Sequence, residues 1–182
     1  MRPFHYVSYF DGLKTLAAEQ GIEVNLVDLY DHMEDVLYAA PGSSEHGLTG
    51  QYYNNEKLEG TPVATRVDPR IGFEWTAGTD LTEVNKNYFS VKWTGEIRPI
   101  ETGDYTIIVK GDDGYRLMLN GATVIDEFQA GSTRESRYTM HFEAGKSYAI
   151  QLDYFQQGGG ACIDLAWLKA GDEDRFREEL DK

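Results

Sequence analysis

The sequence predicts an all-β fold, a sandwich or a closely related barrel, for residues 47–169 of a 182-residue chain. Two observations carry that prediction. Short runs in this stretch alternate apolar and polar residues, and turn signals separate them about every 8–12 residues, the spacing of a sandwich or barrel. No helical period of any length and no internal repeat interrupts the pattern.

In chain order, the elements begin outside that region. Residues 1–46 read as helix–strand–helix. Leu13, Leu16 and Ala17 stand at helical spacing before Gly21, and Ile22, Val24 and Leu26 then alternate. Leu29, Met33, Val36 and Leu37 return to helical spacing through Ala40, until Pro41-Gly42-Ser43-Ser44 breaks the run. One strand and two short helices bury no core of their own, so this flank is expected to be the edge of a neighbouring domain, or a flap on the β-region. Within the β-region, Tyr105, Ile107 and Val109 share one strand face, and Tyr115, Leu117 and Leu119 share the face of the next. Asn120-Gly121 follows, a hairpin signal because a type I′ turn needs positive φ at both central residues. Val124 and Ile125 begin the return strand, and Tyr138, Met140 and Phe142 alternate in another. Glu143-Ala144-Gly145-Lys146 turns the chain into Tyr148, Ile150, Leu152 and Tyr154; Ile163, Leu165 and Trp167 close the set. Residues 170–182 read as a charged C-terminal helix with Phe176 and Leu180 on one face.

Composition narrows the partners. The chain is 41% hydrophobic and 13% aromatic, as expected of a packed globular protein. Its net charge of −14, from 17 basic and 31 acidic residues, argues against a nucleic-acid partner, whose binding draws on Lys and Arg. An acidic surface suits neutral sugars, cations or simple solubility. No run approaches the roughly 20 apolar residues of a membrane helix, so no membrane partner is expected. Residues 1–10 lack the apolar core of a signal peptide. The lone Cys162 excludes an internal disulfide; it lies in an apolar strand and reads as a buried structural thiol.

A succession of motifs resembles a known family. It starts with Gly47-Leu48-Thr49-Gly50-Gln51-Tyr52-Tyr53 and Phe89-Ser90-Val91-Lys92-Trp93-Thr94-Gly95, then Glu101-Thr102-Gly103-Asp104-Tyr105-Thr106. Asp112-Asp113-Gly114-Tyr115-Arg116-Leu117, Asn120-Gly121, Glu143-Ala144-Gly145-Lys146, Tyr154-Phe155 and the glycines 158–160 before Trp167 follow in order. Together they are similar to the protective-antigen-type (PA-fourteen) domain. That resemblance implies a β-sandwich and a sugar-associated role. A second, weaker resemblance lies in Ser8-Tyr9-Phe10-Asp11-Gly12-Leu13-Lys14, similar to a segment of the α/β domain of family-three glycoside hydrolases, although Tyr9 stands where that family has proline. Some of those enzymes carry the same β-module just after this segment. The two resemblances together imply an insertion module from a β-glucosidase-like parent, secreted or periplasmic, with the rest of the glycosidase as partner.

No self-sufficient catalytic machinery is expected. Retaining glycosidases need two carboxyl groups about 5 Å apart, and the resemblance implies that both belong to segments of the parent outside this chain. His5, His32, His46 and His141 are scattered without metal-ligand spacing. Gly158-Gly159-Gly160 lacks the Lys-Ser/Thr of a phosphate loop and reads as a loop open to close approach.

The candidate site lies around Asp112-Asp113. Adjacent carboxylates at a loop tip repel unless something cationic stands between them; Asp-Asp-Gly is equally ordinary turn chemistry. In fungal flocculin adhesins of the resembled family the matching pair is joined by a cis peptide and holds Ca²⁺, which holds sugar hydroxyls. Asp112 and Asp113 are accordingly the candidate metal ligands. Calcium takes six to eight oxygens, and the later loop that completes the shell in the adhesins here reads Gln156-Gln157-Gly158-Gly159-Gly160, without Asn or Asp. Without metal, Asp112, Asp113, Arg116, Gln156, Gly158 and Gly159 are expected to form a polar rim for an oligo- or polysaccharide. Trp75, in a turn-rich stretch, is the expected exposed platform; Trp93 and Trp167 read as core, and Tyr115, Tyr154 and Phe155 are further ring candidates. Three functions compete: an accessory glycan module of a family-three β-glycosidase, a calcium-dependent adhesin head, and a structural insertion mediating oligomer contacts.

Overall fold

Two antiparallel sheets pack face to face in the computed structural model, which describes residues 33–75 and 78–171. The strands are β1 (Leu37–Tyr38), β2 (Leu48–Tyr53), β3 (Ala64–Asp68), β4 (Gly72–Glu74), β5 (Phe89–Ile97), β6 (Gly103–Asp112), β7 (Gly114–Leu119), β8 (Ala122–Glu127), β9 (Arg134–Phe142), β10 (Tyr148–Gln156) and β11 (Cys162–Lys169). The larger sheet runs β3-β2-β5-β10-β7-β8, with β1 also paired to β5; the smaller runs β4-β11-β6-β9. The all-β expectation is met. The elements expected before residue 33, and the C-terminal helix, fall outside the described residues.

Alternation sorts each strand between core and exterior, because successive side chains point to opposite faces. One row across the larger sheet, Trp93, Leu152, Leu117 and Ile125, faces inward. The next row, Gln51, Lys92, Asp153, Arg116 and Asp126, faces outward with alternating charge. Trp93, Tyr52, Tyr115, Tyr154 and Phe89 are fully buried between the sheets, and Trp167 is nearly so. Each fully buried large apolar side chain contributes about 1.5–3 kcal/mol. Buried Asp68 is offset by three donors: Tyr52 Oη at 2.6 Å, Trp93 Nε1 at 2.7 Å and Arg66 Nε at 2.6 Å. Burial, with Asp68 alongside, holds the Tyr52 hydroxyl protonated far above its usual range. Gly50 permits this cluster, since a Cβ there would stand 2.7 Å from Asp68 Oδ2 and 2.8 Å from Trp93 Nε1.

The turns form where the sequence places them. Asn120 and Gly121 both adopt positive φ, 49° and 79°, and Lys146 N donates to Glu143 O at 3.2 Å across the other expected turn. One expectation is corrected. Residues 33–40 do not continue a helix: Val36 N and Leu37 N both donate to Met33 O, and the chain then enters β1. β2 pairs with β5 only as far as Thr94, which leaves Glu96 and Ile97 a free edge. β1 fills it through Leu37↔Ile97 and Tyr38↔Glu96, because edge donors and acceptors need partners. The same docking buries Met33, Val36 and Leu37 in the common core.

Candidate functional site

Four connections cross from one sheet to the other at one end of the sandwich. The register places them there: Gln156 faces Phe89, Phe155 faces Gly114, Tyr115 faces Glu127, Gly111 faces Arg134, and Cys162 faces both Asp112 and Glu74. Hence β4–β5, β6–β7, β8–β9 and β10–β11 all turn at that end. Asp112-Asp113 is the shortest crossing, joined by a cis peptide bond as the resemblance implied.

The two carboxylates have different surroundings. Asp113 is 7% exposed and ties two loops together. Its Oδ1 accepts from Gly131 N at 3.2 Å and its Oδ2 from Gln157 N at 2.8 Å. Asp112 is half-buried and accepts the Thr133 hydroxyl at 3.0 Å through Oδ2. That carboxylate faces the glycine loop, since a Cβ on Gly160 would lie 3.9 Å from the same oxygen. Gly158 and Gly159 border open space, and Gly159 has a φ of 89° that favours glycine. Beneath the pair, Tyr154 Oη donates to the Asp112 carbonyl and to Gln156 Oε1. Burial raises the Tyr154 hydroxyl far above its usual range, reinforced by Cys162, Asp113 and Asp112. It therefore acts as a fixed donor.

Several expected site residues stand elsewhere. Trp75 is not an exposed platform: its ring is 7% exposed, stacked on Phe73 at 4.7 Å and packed edge-on to Phe89 at 5.5 Å. Trp75 follows directly on β4, and its N donates to Ala161 O at 2.8 Å, which holds it against the core. Arg116 does not neutralise the pair. Strand alternation turns it to the outer face, where Nε donates to Asp126 at 3.0 Å and the guanidinium covers the Phe128 ring. Gln156 is fully buried, and its amide is committed to Tyr154 and, at 2.8 Å, to the Gly160 carbonyl. Tyr115, Tyr154 and Phe155 are buried as well. Cys162 is only half-buried, since alternation places it opposite Ile163; burial and then Asp112 raise its thiol.

Two residues escaped sequence reasoning. Arg134 donates through Nη2 to the carbonyls of Asp113, Glu127 and Gln129, fastening the β8–β9 loop to the carboxylate corner. Tyr88 is 59% exposed, and its N–H donates to Gln157 O at 3.1 Å. Arg134 lies 21 residues from Asp113, and nothing local signals that contact. Tyr88 follows a polar turn, a place where an exposed ring is legible.

Two carboxylates supply only part of a calcium shell, so any cation held here would draw its other oxygens from the loop backbone, amide side chains or a ligand. Both Asp113 oxygens and one of Asp112 already accept hydrogen bonds, and the Gln156 amide is committed. Among the described residues no group of three or more His, Cys, Asp or Glu is placed to hold a metal ion, whereas calcium takes about six to eight oxygens. What remains is a half-buried carboxylate, a hydroxyl and open loop backbone, a set of acceptors and donors suited to hydroxyl groups. A cleft of about 540 Å³ lies away from this corner, on the outer face of β5, β10 and β7 under residues 39–41; no charged side chain or aromatic ring lines it.

Comparison with known proteins accords with this fold. A family model described as the PA14 domain matches residues 44–175. The anti-sigma-I factor RsgI3 of Acetivibrio thermocellus is 37% identical over 121 residues, 66% of this chain and 19% of that protein. The chain thus spans about a fifth of that relative. An anti-sigma factor domain-containing protein from Clostridium clariflavum superposes with a TM-score of 0.64 at 35% identity, over 69% of this chain and 42% of that one. A β-glucosidase from Kluyveromyces marxianus, solved with glucose, gives 0.63 at 21% identity over 98% of this chain and 24% of that one. The PA14 sugar-binding domain of an RTX adhesin gives 0.56 at 18% identity, over 69% of this chain and 91% of that one.

Proposed function

The chain belongs to the PA14 domain family, and from that premise we propose that it is a non-catalytic glycan-binding module of a longer protein, binding sugar at the carboxylate corner. One observation carries the reading. Asp113 fixes two loops around a half-buried Asp112, so acceptor and donor groups are preorganised where the glycine loop leaves open space. Asp112 accepts sugar hydroxyls, Thr133 and the backbone of 157–160 supply further polar contacts, and Asp113 and Arg134 position them. The sugar-binding PA14 domain of the RTX adhesin supports the ligand class. An exported, secreted or periplasmic setting goes with such a ligand.

The parent we favour is a β-glycosidase. The match to the β-glucosidase extends over 98% of the chain, beyond the two sheets, and the motif at Ser8–Lys14 resembles the same enzymes. In that setting the module binds glycan or shapes the mouth of the parent's active site. The 35–37% identity to anti-sigma factor proteins favours a second setting, the glycan-recognising part of a regulatory protein. Calorimetry of the chain against neutral oligosaccharides tests the binding reading in either. Saturable binding, lost in Asp112→Ala and unchanged by a calcium chelator, is expected. Binding that Asp112→Ala leaves intact contradicts the site, and loss on chelation contradicts the metal-free mode.

A further inference from the structure

Tyr88 combines three features that packing does not explain. Its ring is 59% exposed, its φ is 56°, and its N–H is fixed to the Gln157 carbonyl at 3.1 Å. A bulky residue in the left-handed region is uncommon and costs stability, so it persists where its surroundings hold it. Here the tie leads to the carboxylate corner, because the same Gln157 gives its own N–H to Asp113 Oδ2 at 2.8 Å. The backbone of Gln157 therefore links the backbone of Tyr88 to the Asp113 carboxylate. Other rings at this end are consumed: Trp75, Phe89 and Tyr154 pack on one another in the core, and Phe128 lies on Phe155 under Arg116. The exposed Ile100 belongs to the β5–β6 turn at the opposite end.

We propose that Tyr88 is the stacking platform of this site and that it selects neutral pyranosides presenting an uninterrupted C–H face. This rests on the glycan-binding reading of the corner. An aromatic face is apolar and carries a negative quadrupole, so it attracts the weakly positive C–H groups of a sugar ring. The Asp112 carboxylate then takes hydroxyls at the ring's edge. Two acidic groups, in a chain of net charge −14, disfavour uronates and sugar phosphates. An acyclic polyol offers the same hydroxyls without a face to stack.

The test is an NMR titration of the full chain with methyl β-D-glucopyranoside, methyl β-D-galactopyranoside, sorbitol and glucuronate. Tyr88→Asn removes the ring while tolerating positive φ; Tyr88→Phe keeps the ring. Wild type is expected to bind one or both neutral pyranosides and to prefer them to sorbitol and glucuronate. Tyr88→Asn should weaken that binding about tenfold, equivalent to about 1.4 kcal/mol, and Tyr88→Phe should retain it. Binding lost in Asp112→Ala but unchanged in Tyr88→Asn overturns the platform and leaves the site standing. Loss in both Tyr88 variants overturns stacking in favour of the hydroxyl. No binding by wild type overturns the site and the platform together.

Discussion

Replacing Asp113 by Ala removes the side chain that joins the β8–β9 and β10–β11 loops. Two backbone donors, Gly131 N at 3.2 Å and Gln157 N at 2.8 Å, lose a charged acceptor. Hydrogen bonds to charged groups contribute about 1.5–3 kcal/mol each. Both donors belong to exposed residues that water re-solvates once freed, so the lower figure applies and the loss is about 3 kcal/mol. For a module of this size that lowers Tm by about 10 °C. Asp112→Ala loses one neutral hydroxyl donor at a half-exposed position, Thr133, and should cost about 1 kcal/mol or less. Urea unfolding of both variants gives the free energies, and hydrogen exchange reads the Gly131 and Gln157 amides directly. Asp113→Ala should accelerate exchange at both amides and Asp112→Ala at neither. An Asp113→Ala variant within about 0.5 kcal/mol of wild type, with both amides still protected, refutes the view of Asp113 as the tie between these loops.

The docking of β1 is tested by Gly95→Ala. A Cβ there would stand 2.2 Å from the Tyr38 carbonyl oxygen. A cost of about 1–3 kcal/mol is expected, with faster exchange at Arg98 N, which donates to Val36 O; unchanged stability and exchange would detach residues 33–46 from the sandwich. Asp153 sets a pH dependence. Burial holds its carboxyl above the ordinary range, partly offset by Gln151, Lys92 and Arg116. The native state therefore keeps a proton that the unfolded chain has already released, and stability falls as pH rises from about 4 through the elevated folded value. Asp153→Asn should remove that component of the slope in urea midpoints measured across this range, and a variant with the wild-type slope would contradict it.

Much of the sandwich was legible because strand alternation and turn chemistry are local. Asn120-Gly121 and the Tyr115/Leu117/Leu119 face were readable from neighbouring residues alone. The Asp112-Asp113 corner was legible as a motif, but its working parts were not. Arg116 reads as rim by closeness in sequence and Gln156 by resemblance to the adhesin loop, whereas alternation sends Arg116 to the far face and contacts with Tyr154 and Gly160 commit Gln156 inward. Trp75 reads as exposed because it lies in a turn-rich stretch, yet its ring stacks on Phe73 and its N–H is fixed to Ala161 O across the core edge. Met33, Val36 and Leu37 fit a helical period equally well as one turn followed by a strand, and only the unpaired end of β5 decides between them.

The most direct test of the account is a backbone-amide NMR titration of the isotopically labelled chain with neutral β-linked gluco- and galacto-oligosaccharides. Shifts are expected only in the crossing loops, at Tyr88, Asp112, Asp113, residues 131–133 and residues 157–160. Shifts centred instead on the cleft lined by Thr49, Thr94, Met118 and Gln151, with the carboxylate corner unchanged, would contradict it.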